Sequence, residues 1–140
     1  MINMQIKNNL KFPKDILIQD DLVHIADDIF IPIMKNNIDQ EVDLQEKHFR
    51  PNTAKYTERK RKTGLSTKVL TATSRLRNSF YSIKQGKSTV VITLKSDRKE
   101  IGGYLQNDMG LNFFGISTRM EKAAMGYITD KINRVVDALR

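Results

Sequence analysis

The chain has 140 residues, a net charge of +8, 39% hydrophobic and 29% charged residues. It is long enough to bury one core, and its ordinary hydrophobic content argues against wholesale disorder. It has no cysteine, which excludes disulfides, thiol catalysis and cysteine-ligated zinc, and no apolar run approaches membrane-spanning length.

In chain order, residues 1–14 read as an extended lead-in, with Asn8-Asn9 and Phe12-Pro13 as turn material. Met1 to Lys7 lacks a signal-peptide apolar stretch and a small-residue cleavage site, so a soluble chain, not exported by that route, is expected. From Asp20 onward, Leu22, Ile25, Ala26, Ile29, Phe30, Ile33 and Met34 fall at helical spacing. This predicts a helix over 19–38, capped by Asp20 or Asp21 and kinked or split near Asp28 by Pro32. Asp27 and Asp28 are expected toward solvent.

Residues 39–68 show no sustained period and read as a long, basic, polar loop, with a short helical turn possible around Thr53 to Lys62. The plain reading is a solvated flexible segment. The sharper one is a segment that orders against an acidic surface, either a neighbouring subunit or nucleic-acid phosphates. Leu70 to Phe80 then leads into a strand through Ile83. Gln85-Gly86-Lys87-Ser88 turns the chain, and Thr89 to Leu94 returns as the second strand of a hairpin. Val90, Ile92 and Leu94 share one face, and one hairpin alone is marginal in water, so the amphipathic segments at the chain's ends are expected to cover it.

Ser96 to Glu100 reads as a charged turn, and Ile101 to Gln106 as a third short strand or a helical turn interrupted by Gly102-Gly103. Leu111 to Ile116, with Phe113-Phe114, reads as an apolar plug against the sheet. The last helix has the clearest signal: Thr118 to Glu121 fits a capping box, with Ser117 as an alternative cap. Met120, Ala124, Ile128, Ile132, Val135 and Leu139 form its stripe, which suits the sheet or another subunit. The predicted architecture is one α+β domain, a small, mostly antiparallel sheet flanked by two amphipathic helices.

The charge is segregated. Residues 15–46 carry nine acids against Lys35, and residues 47–77 carry ten bases against Glu58. The chain is therefore dipolar as well as basic. No catalytic set assembles from the sequence. His24 and His48 lack partners at ligand spacing, no phosphate-binding glycine loop is present, and the serines lack an elbow motif and a base. Solvated helix carboxylates are the commoner reading of Asp20, Asp21, Asp27 and Asp28, and core packing is the commoner reading of Met120, Met125, Phe113, Phe114 and Tyr127. The expectation is a non-enzyme without cofactor or metal.

Four stretches, in order, resemble the virion morphogenesis proteins of tailed phages, also called tail-completion proteins. They are Phe49-Arg50-Pro51-Asn52 with Tyr56 and Lys60; Leu70 to Phe80; Ile101 to Gln106 followed by Gly110; and Phe113 to Ser117. Together they span about residues 39–140, with Ser74 where the family usually has Gly, Leu105 where His is common, and Leu111-Asn112 where Arg-Pro is common, as in a distant member. The resemblance implies a structural virion protein at the head–tail junction, assembled in the host cytoplasm. It implies a ring of six or twelve copies beside other neck, portal and tail proteins. In such a ring the bases Lys55, Arg59, Lys60, Arg61, Lys62, Lys68, Arg75 and Arg77 would meet either the acids Asp20, Asp21, Asp27 and Asp28 of a neighbour or DNA in the lumen. The alternative reading is a free-standing, non-specific nucleic-acid-binding protein.

Overall fold

The computed structural model describes residues 3–7, 18–66 and 75–140. Asn8-Asn9, Phe12-Pro13, Lys68 and Leu70 to Ser74 lie outside these described residues. The fold is α+β, built on a three-stranded antiparallel sheet in the order β1-β3-β2. The hairpin forms as expected from β2 (Phe80–Gln85) and β3 (Thr89–Leu94). Gln85 pairs with Thr89, so the link itself is Gly86 to Ser88. Gly86 has φ 65°, a left-handed conformation that glycine adopts without Cβ strain.

The third strand comes from the lead-in. β1 (Asn3–Lys7) adds to the open side of β3, with Met4 opposite Ile92 and Ile6 opposite Val90. β3 is thus the central strand, and Val90, Ile92 and Leu94 are fully buried. Val91 and Thr93 on the opposite face are also buried, so β3 is covered on both faces. Met4, Phe80, Val90, Ile92 and Leu94 together form the apolar face, since residues opposite one another point the same way.

That face is covered by the first helix. It runs as α1 (Gln19–His24), a wide π-helical turn (Ile25–Phe30) and α2 (Ile31–Asp39), helical throughout. The wide turn sits just ahead of Pro32, whose ring lacks an N–H and crowds the Asp28 carbonyl. The proline therefore neither breaks nor splits the helix, because the wider turn accommodates it and the N–H of Ile31 bonds back to Ala26. Leu22, Ile25, Ala26, Phe30, Met34 and Ile38 face the core. Gln19 Nε2 donates to the Gly86 carbonyl at 3.1 Å and to the Thr89 carbonyl at 3.0 Å, which ties the helix start to the hairpin turn.

Two expected loops are helical. Within 39–68, α3 (Ala54–Lys62) is a full helix, capped by Thr53, whose Oγ1 accepts from the Tyr56 N–H at 3.2 Å. After β3, α4 (Ser96–Gly103) replaces the charged turn expected there, and of the two readings of Ile101 to Gln106, short strand or helical turn, the helical one holds, continuing into a π-helical turn (Tyr104–Asp108). Gly102-Gly103 lies inside helical backbone, with Gly102 buried and open space beside Gly103, and the pair does not end the helix. α5 (Thr118–Ala138) starts at Ser117, whose Oγ accepts from the Met120 N–H at 3.1 Å, making Ser117 the cap. It buries Met120, Ala124 and Ile128 and packs on the Ile25–Phe30 turn of the first helix. Phe113 and Phe114 do plug the sheet end. Phe80 stacks on Phe114 with ring centroids 6.0 Å apart and meets Phe113 edge-on at 6.4 Å.

Candidate docking surfaces

The basic segment divides once its geometry is known. α3 is built of strong helix formers, and four bases in its last turn suit the negative end of the helix dipole. Lys55, Arg59 and Lys62 lie at i, i+4 and i+7, on one exposed face. Among the described residues no ion pair holds any of these three. Arg61 is exposed and reaches Glu58 at 3.3 Å. Arg75 is exposed as well.

Two expected surface bases are structural instead. Lys60 is 3% exposed on the inner side of α3, and its ammonium lies 4.9 Å from the centre of the Tyr56 ring. Burial lowers the Lys60 pKa, and the Glu41 carboxylate opposes that shift. Arg77 grips Asp39 with two bonds, Nε at 2.6 Å and Nη2 at 2.9 Å. That contact raises an already high pKa. It joins the end of α2 to the turn before β2 within one chain, so Arg77 is committed to its own fold.

The acidic set divides in the same way. Asp21 is 4% exposed and points inward. Its Oδ1 accepts from the Tyr127 hydroxyl at 2.6 Å and from Lys131 Nζ at 3.4 Å, and its Oδ2 accepts from the Ile18 N–H at 2.9 Å. Asp21 therefore docks α5 onto the start of α1 and does not belong to an outer acidic face. Burial pushes its pKa up, but the bonds from Tyr127, the Ile18 N–H and Lys131 together hold it below the ordinary 3.8. The same bond to Asp21, with burial and the carboxylate's charge behind it, pushes Tyr127 up to about 12. His24 stacks on Tyr127 with ring centroids 4.5 Å apart.

Asp20, Asp27 and Asp28 are exposed, as expected for Asp27 and Asp28. Each is held by a neighbour. Lys84 Nζ donates to Asp20 Oδ1 at 3.0 Å, Ser82 Oγ donates to Asp27 Oδ1 at 2.5 Å, and His24 Nδ1 lies 2.7 Å from Asp28 Oδ2. Ser82 and Lys84 belong to β2, an edge strand, so Asp20 and Asp27 flank that edge.

Phe80, Gln106 and the Phe113-Phe114 pair bring three of the stretches quoted from the sequence together, and two further contacts tie segments beside them. Arg50 Nη2 donates to the Met109 carbonyl at 3.4 Å, and the Leu44 N–H donates to the Asn112 carbonyl at 3.0 Å. Gln106 clamps the aromatic plug: its Oε1 accepts from the Phe113 and Phe114 N–H groups at 3.0 and 3.1 Å, and its Nε2 donates to Asn112 Oδ1 at 2.9 Å and the Phe114 carbonyl at 3.2 Å. Sequence reasoning placed Asp21 at the start of the first helix, where it takes the N–H of the cap residue Ile18, but it missed Asp21's bonds to Tyr127 and Lys131 and the clamp made by Gln106, whose partners are distant or sit in irregular backbone. Among the described residues no three His, Asp or Glu side chains gather as metal ligands, and no helix is long and apolar enough to cross a membrane. Compared with protein-family models, with curated proteins and with solved structures, the chain matches none.

Proposed function

We propose that the chain is a structural, non-catalytic component of a tailed-phage virion, a tail-completion subunit at the head–tail junction that works by docking beside its own copies in a ring. The carrying observation is the exposed stripe Lys55, Arg59 and Lys62 on α3, which no ion pair among the described residues holds, in a chain whose exposed acids Asp20, Asp27 and Asp28 sit on another element. A ring contact is heterologous, so one surface of a subunit meets a different surface of the next. Opposed charges on separate surfaces suit that geometry and set register more than affinity. The motif resemblance agrees, and its stretches around Phe80, Gln106 and Phe113 lie in contact.

Native mass spectrometry of the purified protein, alone and mixed with head and tail proteins of the virion, tests this. Closed oligomers, or incorporation into a partner ring, are expected. A monomer under every condition overturns the proposal. The same stripe also favours a second reading, contact with nucleic-acid phosphates without sequence selection. That reading expects DNA retention at low salt that falls steeply as salt rises, and no retention at low salt removes it.

A further inference from the structure

The basic stripe and the acidic rim share a spacing. Lys55 and Lys62 are seven residues apart on α3, and Asp20 and Asp27 are seven residues apart on the first helix. At 1.5 Å per residue the Lys55–Lys62 pair spans about 10.5 Å along α3, and the Asp20–Asp27 pair, which enters the wide π-helical turn, spans somewhat less. Arg59 lies between the two lysines, and Asp28 extends the acidic end. The carboxylates are also held in place before any contact. Asp20 and Asp27 each use Oδ1 on β2, both residues are exposed, and no hydrogen bond among the described residues engages either Oδ2, which leaves it for a second donor. Such preordering lowers the entropy cost of a new ion pair. Asp21 takes no part, because its carboxylate is consumed by Tyr127, Lys131 and the Ile18 N–H.

We propose that α3 of one copy lies along the first helix of a second copy, with Lys55, Arg59 and Lys62 over Asp20, Asp27 and Asp28. This rests on the ring reading and names its contact. The partner is a second copy of this chain, because both charge sets lie on one sequence, each spread over about two turns of helix, and their signs are opposite. A contact of this kind joins unlike surfaces; made once with each neighbour it repeats around a ring, whereas made reciprocally across a twofold axis it closes at two copies, and the mass of the oligomer tells the two apart.

A charge-swap experiment decides it. One variant reverses the stripe (Lys55→Glu, Arg59→Glu, Lys62→Glu), and the other reverses the rim (Asp20→Lys, Asp27→Lys, Asp28→Lys). Each alone turns every contact repulsive, and the concentration needed for assembly is expected to rise by roughly tenfold or more, since several surface pairs are lost and like charges replace them. Mixed one to one, the two variants restore opposite signs at every contact, so oligomers reappear with the variants alternating. Circular dichroism checks the fold, and the milder Lys→Gln and Asp→Asn versions replace any variant that fails to fold, with a smaller weakening expected. Assembly that is blocked by the stripe variant but unaffected by the rim variant overturns this docking and leaves the ring reading standing. Assembly unaffected by both, with DNA retention lost in the stripe variant, overturns it in favour of a phosphate-binding surface. A wild-type chain that never associates removes both the ring reading and the docking.

Discussion

Gln106 is where a single side chain does most for the fold's irregular part. Its amide makes four hydrogen bonds to the segment leading into α5. Phe113's N–H keeps a second partner, the Leu111 carbonyl at 2.9 Å, but Phe114's N–H depends on Gln106. Gln106→Ala is therefore expected to leave a buried donor unpaired, costing about 1–3 kcal/mol. Thermal melts should show Tm lower by roughly 3–10 °C, given the usual scaling for a domain of this size. An unchanged Tm would mean water replaces the amide. Tyr127 gives a pH prediction. Its folded pKa, about 12, lies above the ordinary 10.0, so its contribution to stability is complete below pH 10 and is lost as pH rises from there toward 12. Asp21 has the opposite sign: its pKa lies below 3.8, so its contribution holds above that value and is lost as pH falls through the lowered value. Ultraviolet titration should find one of the four tyrosines ionising last, and Tyr127→Phe should remove that step and flatten stability between pH 10 and 12. The sequence could not single out this pair, because Asp21 and Tyr127 are 106 positions apart. Gly115 was visible only as part of a motif. Its φ of 156° and the 2.8 Å that would separate an added Cβ from Leu44 explain why an alanine there would be strained.

At the level of elements, a period read along the chain was reliable where an apolar stripe met the core. The hairpin, the first helix and α5 all follow from such stripes. Ile128 is the clearest case, lying 6% exposed where α5 is buried against the rest of the core. Ile128→Asp places an unpaired carboxylate there, which costs several kcal/mol, a large share of the 5–15 typical of a whole domain. The variant should unfold or lose its cooperative melt. A folded, soluble Ile128→Asp protein would show that this part of α5 contributes little to the core. Elements without a stripe were harder to read. α3 has no apolar period because its one buried residue is Lys60, while Tyr56, whose ring lies beside the Lys60 ammonium, is exposed. Its signals were local, the Thr53 cap and a run of good helix formers. β1 is five residues long, and residues 1–14 read as no more than an extended lead-in, so its pairing with β3 was not foreseen. Pro32 signalled trouble in the first helix, but a wide turn that absorbs a proline is a backbone response that side-chain patterns do not encode.

For the molecule as a whole, segregation of charge was legible in the sequence, while the use of each charge was not. Burial and pairing withdraw Lys60, Arg77 and Asp21 into the fold, and what remains outside is the Lys55, Arg59 and Lys62 stripe and the Asp20, Asp27 and Asp28 rim. These two groups of charge differ in their response to salt. Exposed charges are screened over about 8 Å at 0.15 M salt and about 3 Å at 1 M. The internal contacts are short, and the core of Met34, Ile38, Ile92, Leu94 and Phe113 is apolar. Raising sodium chloride from 0.05 to 0.5 M should therefore weaken self-association while leaving the thermal midpoint of the monomer nearly unchanged. Sedimentation velocity and melting curves recorded on the same samples would separate the two effects. Association that strengthens with salt would mean that an apolar surface holds the copies together, with the exposed Val136 and Leu139 of α5 the first place to look. A midpoint that falls in step with association would mean instead that the subunit depends on its neighbours for its own stability, as obligate oligomers do.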